Sequence, residues 1–261
     1  MNKQPSVSII IPYKDNLNYL FSSLNSAIRQ SYRNFRIVII YDNENRTDLL
    51  KIKKFLKIKK GNKPSISIEV NKVNLGAGNS RNKGIKKSKT KYIAFLDSDD
   101  LWAKNKLKIH INHMEKNNYV FSHTSYYVIN DKDNVISLRN ARPTITFREL
   151  LKSCDIGLST VILNTKFIKK NKYYFPRIKT KEDFVLWLKI IKDIKFVHGL
   201  NRKLTYYRKT GNSLSSNKFI SLVNGYKVYR NYMNFSIGKS LYYLIILSIN
   251  FFRKYLFESK Q

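Results

Sequence analysis

Four runs of strand length alternate with stretches of helical periodicity in the first hundred residues, and this alternation constrains the chain more than its composition does. Val7–Tyr13 (VSIIIPY), residues 36–41 (RIVIIY), Ser65–Val70 and residues 92–96 (YIAFL) read as strands. Between the first two, Leu17, Leu20, Phe21, Leu24, Ala27 and Ile28 recur at helical spacing after Asp15 and Asn16, either of which can cap the first turn. A basic amphipathic helix is expected at about 47–59 and another helix at about 78–87. Such an order calls for right-handed crossovers and a parallel α/β sheet, in which ligands collect beyond the carboxyl ends of strands. Asp15, Asp42 and Asp97 each follow such an end.

The acidic residues are scarce and therefore informative. Against 50 Lys and Arg stand 17 Asp and Glu, yet residues 92–102 (YIAFLDSDDLW) drive an apolar run into Asp97, Asp99 and Asp100. Side chains alternate along a strand, so Asp97 and Asp99 are expected on one face, where they can share a hard divalent cation or a ribose. The plainer alternative is an Asx-type turn, with Asp100 capping a helix from near Ala103. A second acidic pair, Glu182 and Asp183, precedes the apolar helix Phe184, Val185, Leu186, Trp187, Leu188, Ile190 and Ile191. Two acids there also suit the helix dipole alone. Residues 76–84 (GAGNSRNKG) offer close backbone approach at Gly76 and its neighbours, with Arg81 and Asn82 opening toward a ligand. The segment lacks the Lys-Ser/Thr ending of a Walker loop and does not fit G-x-G-x-x-G.

In order and spacing, VSIIIPYKD, IIYDNEN, GAGNSRNKGI, YIAFLDSDD and KEDFVLWLK resemble family-2 glycosyltransferases over roughly residues 5 to 215. The resemblance implies a GT-A type α/β catalytic domain, a Rossmann-like and mostly parallel sheet, over residues 1–215, with a nucleotide-binding half to about 118 and an acceptor half beyond it. Residues 216–261 are then a basic, apolar, helical extension. The resemblance also implies an inverting hexosyltransferase that moves a sugar from a nucleotide-sugar, UDP-linked by expectation, to a glycan or lipid-linked acceptor in cell-surface polysaccharide or lipopolysaccharide synthesis. By the same resemblance the donor meets Pro12, Tyr13, Asp15, Asp42, Gly76, Arg81, Asp97, Ser98 and Arg208. Asp42 matches the carboxylate that accepts from the imide N–H of uracil, although Tyr41 stands where the family shows a second acid. Asp99, with Asp97, ligates Mn²⁺ or Mg²⁺; Asp183 is the catalytic base; Glu182 and Trp187 serve the acceptor. Residues 206–215 (YYRKTGNSLS) resemble the family's segment near the diphosphate, with Lys209-Thr210 where a His is usual.

The remaining features bound the reading. A chain of 261 residues with 43% hydrophobic content can bury one large core. The lone Cys154 excludes an internal disulfide framework and fits a reducing cytoplasm. Val7 to Ile11 is too short for the apolar region of a signal peptide. His110 and His113 are expected as a surface pair on one helix face, and His123 and His198 beside strands. The formal net charge of +33 points to a polyanion. The basic residues are spread rather than clustered and no nucleic-acid-binding motif is present, so an anionic membrane surface is the expected partner and specific nucleic acid is not. Residues 241–252 (LYYLIILSINFF), flanked by Lys239 and Arg253-Lys254, are too short to span a bilayer. They can lie in the interface or pack on the domain, and the protein is expected at the cytoplasmic face of the inner membrane. Two other classes stay open on the residues alone: a nucleotidyltransferase, whose Gly-rich loop should directly follow the first strand where Pro12-Tyr13-Lys14 stands, and a charge-driven nucleic-acid binder.

Overall fold

The computed structural model describes residues 4–58, 64–211 and 218–258. Its first half is the alternation read above: β1 (Val7–Tyr13), α1 (Leu17–Ile28), β2 (Phe35–Tyr41), α2 (Thr47–Ile58), β3 (Ser65–Val70), α3 (Ala77–Lys87) and β4 (Tyr92–Phe95). β1 lies between β2 and β4, with β3 outside β2, and all three pairings are parallel. Every residue of β1 is buried because helices cover both faces of the sheet. Its side chains divide between two cores: Val7, Ile9, Ile11 and Tyr13 join Leu20, Leu24 and Ala27 of α1, while Ile10 faces the opposite side with Val38, Ile40 and Ile85. On that side α3 approaches so closely that a Cβ on Gly84 would lie 2.6 Å from Ile10 Cγ2. Glycine is required there by contact.

Beyond β4 the sheet becomes mixed. The chain continues through β5 (Leu101–Trp102), α4 (Lys106–Asn117), β6 (Phe121–Ile129), β7 (Val135–Arg139), β8 (Thr144–Thr146), α5 (Phe147–Lys152), β9 (Ile162–Asn164), α6 (Thr165–Lys170), α7 (Glu182–Ile194) and β10 (Phe196–Arg208). The strand order is β3-β2-β1-β4-β9-β6-β10-β5, with β7 beside β6 and β8 beside β10. β9 runs antiparallel to both β4 and β6, whereas β10 runs parallel to β6. This is the GT-A arrangement, a central sheet flanked by helices with a helical C-terminal part. The helix expected near Ala103 starts only at Lys106, because Leu101 and Trp102 are drawn into pairing with Tyr206 and Thr205.

The C-terminal part comprises α8 (Lys218–Lys227), a π turn at Val228–Tyr232 and α9 (Ile237–Glu258). Val228, Tyr229 and Leu247 are buried in the same core as Phe184 and Trp187, so these helices pack on the catalytic body. Tyr243 and Leu244 face inward with them, while Leu241, Ile245, Ile249 and Phe252 form an exposed stripe on the other side of α9. Among the described residues no helix is long and apolar enough to cross a membrane.

Candidate active site

The chain places its acids where strands end. Asp42, immediately after β2, is 3% exposed, and its Oδ1 accepts from Asn71 Nδ2 at 2.7 Å and from the Leu75 amide at 2.8 Å. Asn71 follows β3 as Asp42 follows β2; its carbonyl accepts from Arg46 at 2.7 Å and its Oδ1 from Lys83 at 2.9 Å. It was not singled out from the sequence, although its position after a strand was the available signal. Gly76 stands at φ +79°, in open space, where α3 begins. Pro12 and Tyr13 are buried beneath this edge, with the Tyr13 hydroxyl donating to Asp48 at 2.7 Å; Asp15 is exposed beyond them.

Asp97 to Asp100 form a turn rather than a strand end, closed by the Asp100 amide donating to the Asp97 carbonyl at 3.1 Å. Asp97 and Asp99 are therefore brought together by a turn, not by the pleat, and Ser98 sits half-buried between them. Burial first, and the Asp97 charge second, push the Asp99 carboxyl up to about 6. A carboxylate whose ionisation is opposed by burial and by a neighbouring charge is suited to a divalent cation, which supplies the missing positive charge. No group of three or more His, Cys, Asp or Glu residues able to hold a metal occurs among the described residues. The two acids thus fit a cation whose shell is completed by phosphate and water, the usual arrangement for Mg²⁺.

Asp100 does not cap a helix. It is fully buried and accepts from the Arg208 amide at 2.9 Å and from the Ser159 hydroxyl, while Ser159 Oγ accepts from the Asp97 amide at 3.0 Å. Arg208, expected near the diphosphate, is engaged by the protein itself in this structure. Its guanidinium donates to the Asp99 carbonyl at 2.9 Å and the Asn130 carbonyl at 3.0 Å, pairs with Asp133 at 2.5 Å and stacks on Tyr19 at 4.6 Å. Arg208 is 3% exposed and holds the turn from behind. The Lys209 amide donates to Ile129, and Ser213 and Ser215 lie outside the described residues.

Arg81 connects the turn to the second acidic pair. Its Nη2 donates to Asp97 Oδ1 at 2.6 Å and its Nη1 to Glu182 Oε1 at 2.8 Å, with the guanidinium 5.4 Å from the centre of the Phe175 ring. At 5% exposure it is an internal tie, not the outward-facing group its position in the Gly-rich segment suggested. Asn82 pins the neighbouring segment by exchanging two hydrogen bonds with the Phe175 backbone, both 2.8 Å. At the start of α7, Asp183 Oδ1 accepts from the Phe184 amide at 2.7 Å. Burial, then the Glu182 charge, push its carboxyl up to about 6, where a carboxylate can take a proton near neutral pH.

Trp187, expected to serve the acceptor, lies in the core. It is 0% exposed, packed against Phe121 at 5.1 Å and Phe175 at 6.1 Å, because α7 is covered on several sides. His110 is likewise no surface residue: it is fully buried, and neither ring nitrogen has a hydrogen-bond partner among the described residues. Beside it Lys106 is buried, its Nζ donating to Thr160 at 3.0 Å and lying 5.1 Å from the centre of the Trp102 ring, and burial lowers its pKa to about 7. Lys106, His110 and Met114 share a face at spacing of four, which was the signal for burial in the sequence.

Comparisons with known proteins show which family the chain resembles. A family model described as glycosyl transferase family 2 matches residues 8–175. The chain is 37% identical over 242 residues to the Escherichia coli UDP-Glc:alpha-D-GlcNAc-diphosphoundecaprenol beta-1,3-glucosyltransferase WfaP, covering 92% of this chain and 90% of that one. It is 32% identical over 256 residues to the E. coli enzyme of the same description, WfgD, covering 97% and 96%. The mannosyltransferase PcManGT from Pyrobaculum calidifontis, solved with GDP-Man and Mn²⁺, matches in fold with a TM-score of 0.71 at 12% identity, covering 93% of this chain and 70% of that one.

Proposed function

The chain belongs to glycosyl transferase family 2, and from that membership we propose that it transfers a sugar, with inversion, from a UDP-sugar to a lipid-linked glycan acceptor in cell-envelope polysaccharide synthesis. The observation that carries the reading is the Arg81 bridge, which joins Asp97 to Glu182, the immediate neighbour of Asp183. A transferase needs its leaving-group site and its base in fixed relation, and one buried guanidinium supplies that relation. The names of the two E. coli relatives support UDP-Glc as the first donor to test and a diphosphate-linked lipid as acceptor.

On this reading the base is received at the ends of β2 and β3, where Asp42 accepts hydrogen bonds. Asp97 and Asp99 hold the ribose and a divalent cation. Mn²⁺ or Mg²⁺ bound there would neutralise charge on the departing diphosphate. Asp183 takes the proton of the acceptor hydroxyl while its oxygen attacks the anomeric carbon; the bond from that carbon to the phosphate oxygen breaks, and the nucleoside diphosphate leaves with the electron pair. Glu182 orients Arg81 and keeps Asp183 basic. The exposed stripe of α9 and the net charge of +33 support a peripheral position on the cytoplasmic face of an anionic membrane.

Calorimetric titration of UDP, GDP and dTDP, with and without Mn²⁺ and at moderate salt, tests the donor site. Manganese-dependent binding selective for UDP is expected, and it disappears in Asp99→Ala. Indifference to all three nucleotides contradicts the proposal.

A further inference from the structure

A cavity of about 440 Å³ lies between α5, β7 and the C-terminal end of α9, away from the Asp97–Asp100 turn. Five cations line it, Arg139, Arg142, Lys152, Arg253 and Lys254, against two carboxylates, Glu149 and Asp155. The acids hold part of the wall in place: Arg142 pairs with Glu149 at 3.0 Å and with Asp155 at 3.1 Å, and Lys254 pairs with Asp155. Asn250 ties α9 to the Lys152 carbonyl at 2.8 Å. Arg139, Lys152 and Arg253 thus converge with these pairs in one concavity built by elements far apart in sequence.

Two neighbours define what such a cavity serves. Ser153 and Asp155 line it just beyond α5, and α5 packs against α7, whose first turn carries Asp183. The cavity and the proposed base thus lie on two helices that touch. On its other side runs the exposed stripe Leu241, Ile245, Ile249 and Phe252, on the same helix as Arg253 and Lys254. An acceptor filling this surface presents a hydroxyl toward Asp183, a compact polyanion to the cavity and a hydrocarbon tail along α9.

We propose that this cavity binds the diphosphate of a polyprenyl-linked acceptor, with α9 laid on the lipid surface beside it; the inference rests on the glycosyltransferase reading above. A diphosphate carries enough charge and enough oxygens to engage several of these cations together, more than a single phosphodiester headgroup does. The site is distinct from the donor diphosphate site at Asp97 and Asp99.

The test is flotation with phosphatidylcholine vesicles carrying undecaprenyl diphosphate, compared with vesicles of equal charge carrying phosphatidylglycerol. Lys152 and Arg253 are both exposed, so Lys152→Glu/Arg253→Glu reverses charge without disturbing the core. Wild-type protein is expected to prefer the diphosphate vesicles, and the double variant to bind them about tenfold or more weakly, with UDP titration unchanged. Equal retention on phosphatidylglycerol, or undiminished binding by the variant, overturns the proposal. Diphosphate-selective retention by a protein that binds no UDP supports the cavity and contradicts the donor site instead, so the two failures are distinguishable.

Discussion

Arg81 and Glu182, 101 residues apart in the chain, meet at 2.8 Å, and the same guanidinium holds Asp97 at 2.6 Å. The Gly-rich segment, the D-x-D turn and the start of α7 are therefore one electrostatic unit. Its energy is dominated by what happens when one partner is lost: an unpaired charge remains in a partly buried place.

Arg81→Ala is accordingly expected to destabilise the fold by about 3–5 kcal/mol, the range for breaking a buried pair. Arg81→Lys should recover only part of this, since one ammonium cannot reproduce two directed contacts. Urea denaturation of the three proteins decides it. A change within the error of the extrapolation for Arg81→Ala would show that the bridge does not bind the site together.

The pH dependence follows from Asp183, held up to about 6 by burial and by Glu182. A base acts when ionised, so kcat/KM should rise with pH through about 6 and then level off. Glu182→Gln removes the second cause and keeps a hydrogen-bonding partner for Arg81. Its profile should turn at lower pH, and an unmoved profile would mean that another group is being titrated.

Asp99 gives the opposite sign for stability. Its carboxyl is raised to about 6, so the folded chain holds this proton more tightly than the unfolded chain does. That contribution is present below the ordinary value of about 4 and is lost as pH rises toward 6. Asp99→Asn should therefore melt above the wild type at neutral pH, with the difference closing as pH falls. Equal melting temperatures throughout would contradict the strained carboxylate pair.

The Asp100–Arg208 contact is also testable. Asp100→Ala leaves the buried Arg208 amide without its acceptor, which costs about 1–3 kcal/mol, and loosens the turn that carries Asp99. Metal-dependent nucleotide affinity should fall although Asp100 itself is buried. Unchanged affinity with lowered stability would confine Asp100 to folding.

How much of this was legible in the sequence depended on range. β1, β2 and β4 announce themselves because strands covered on both faces are mostly apolar, the edge strand β3 by its alternation of Ser and Ile, and Asn16, read as a possible cap, does accept from the Tyr19 amide at 3.2 Å. The acids after strand ends were visible for the same local reason. The second half was not, because β10 takes its partners from β5, β6 and β8, and no local pattern encodes which of them it meets. Trp187, Arg208, Lys106 and His110 were misplaced or overlooked on one ground: residue type suggests exposure, while burial is decided by what packs over a helix face. Arg81 looked like a ligand group because its two carboxylate partners are 16 and 101 residues away.

The central claim is that the donor site and the catalytic base are separate parts of one unit, and Asp183→Asn tests it most directly. UDP titration with Mn²⁺ and sugar transfer from UDP-Glc to a lipid-linked acceptor are measured on the same protein preparation. The account predicts donor affinity close to wild type and transfer abolished. Retained transfer, or UDP binding lost together with transfer, would contradict it.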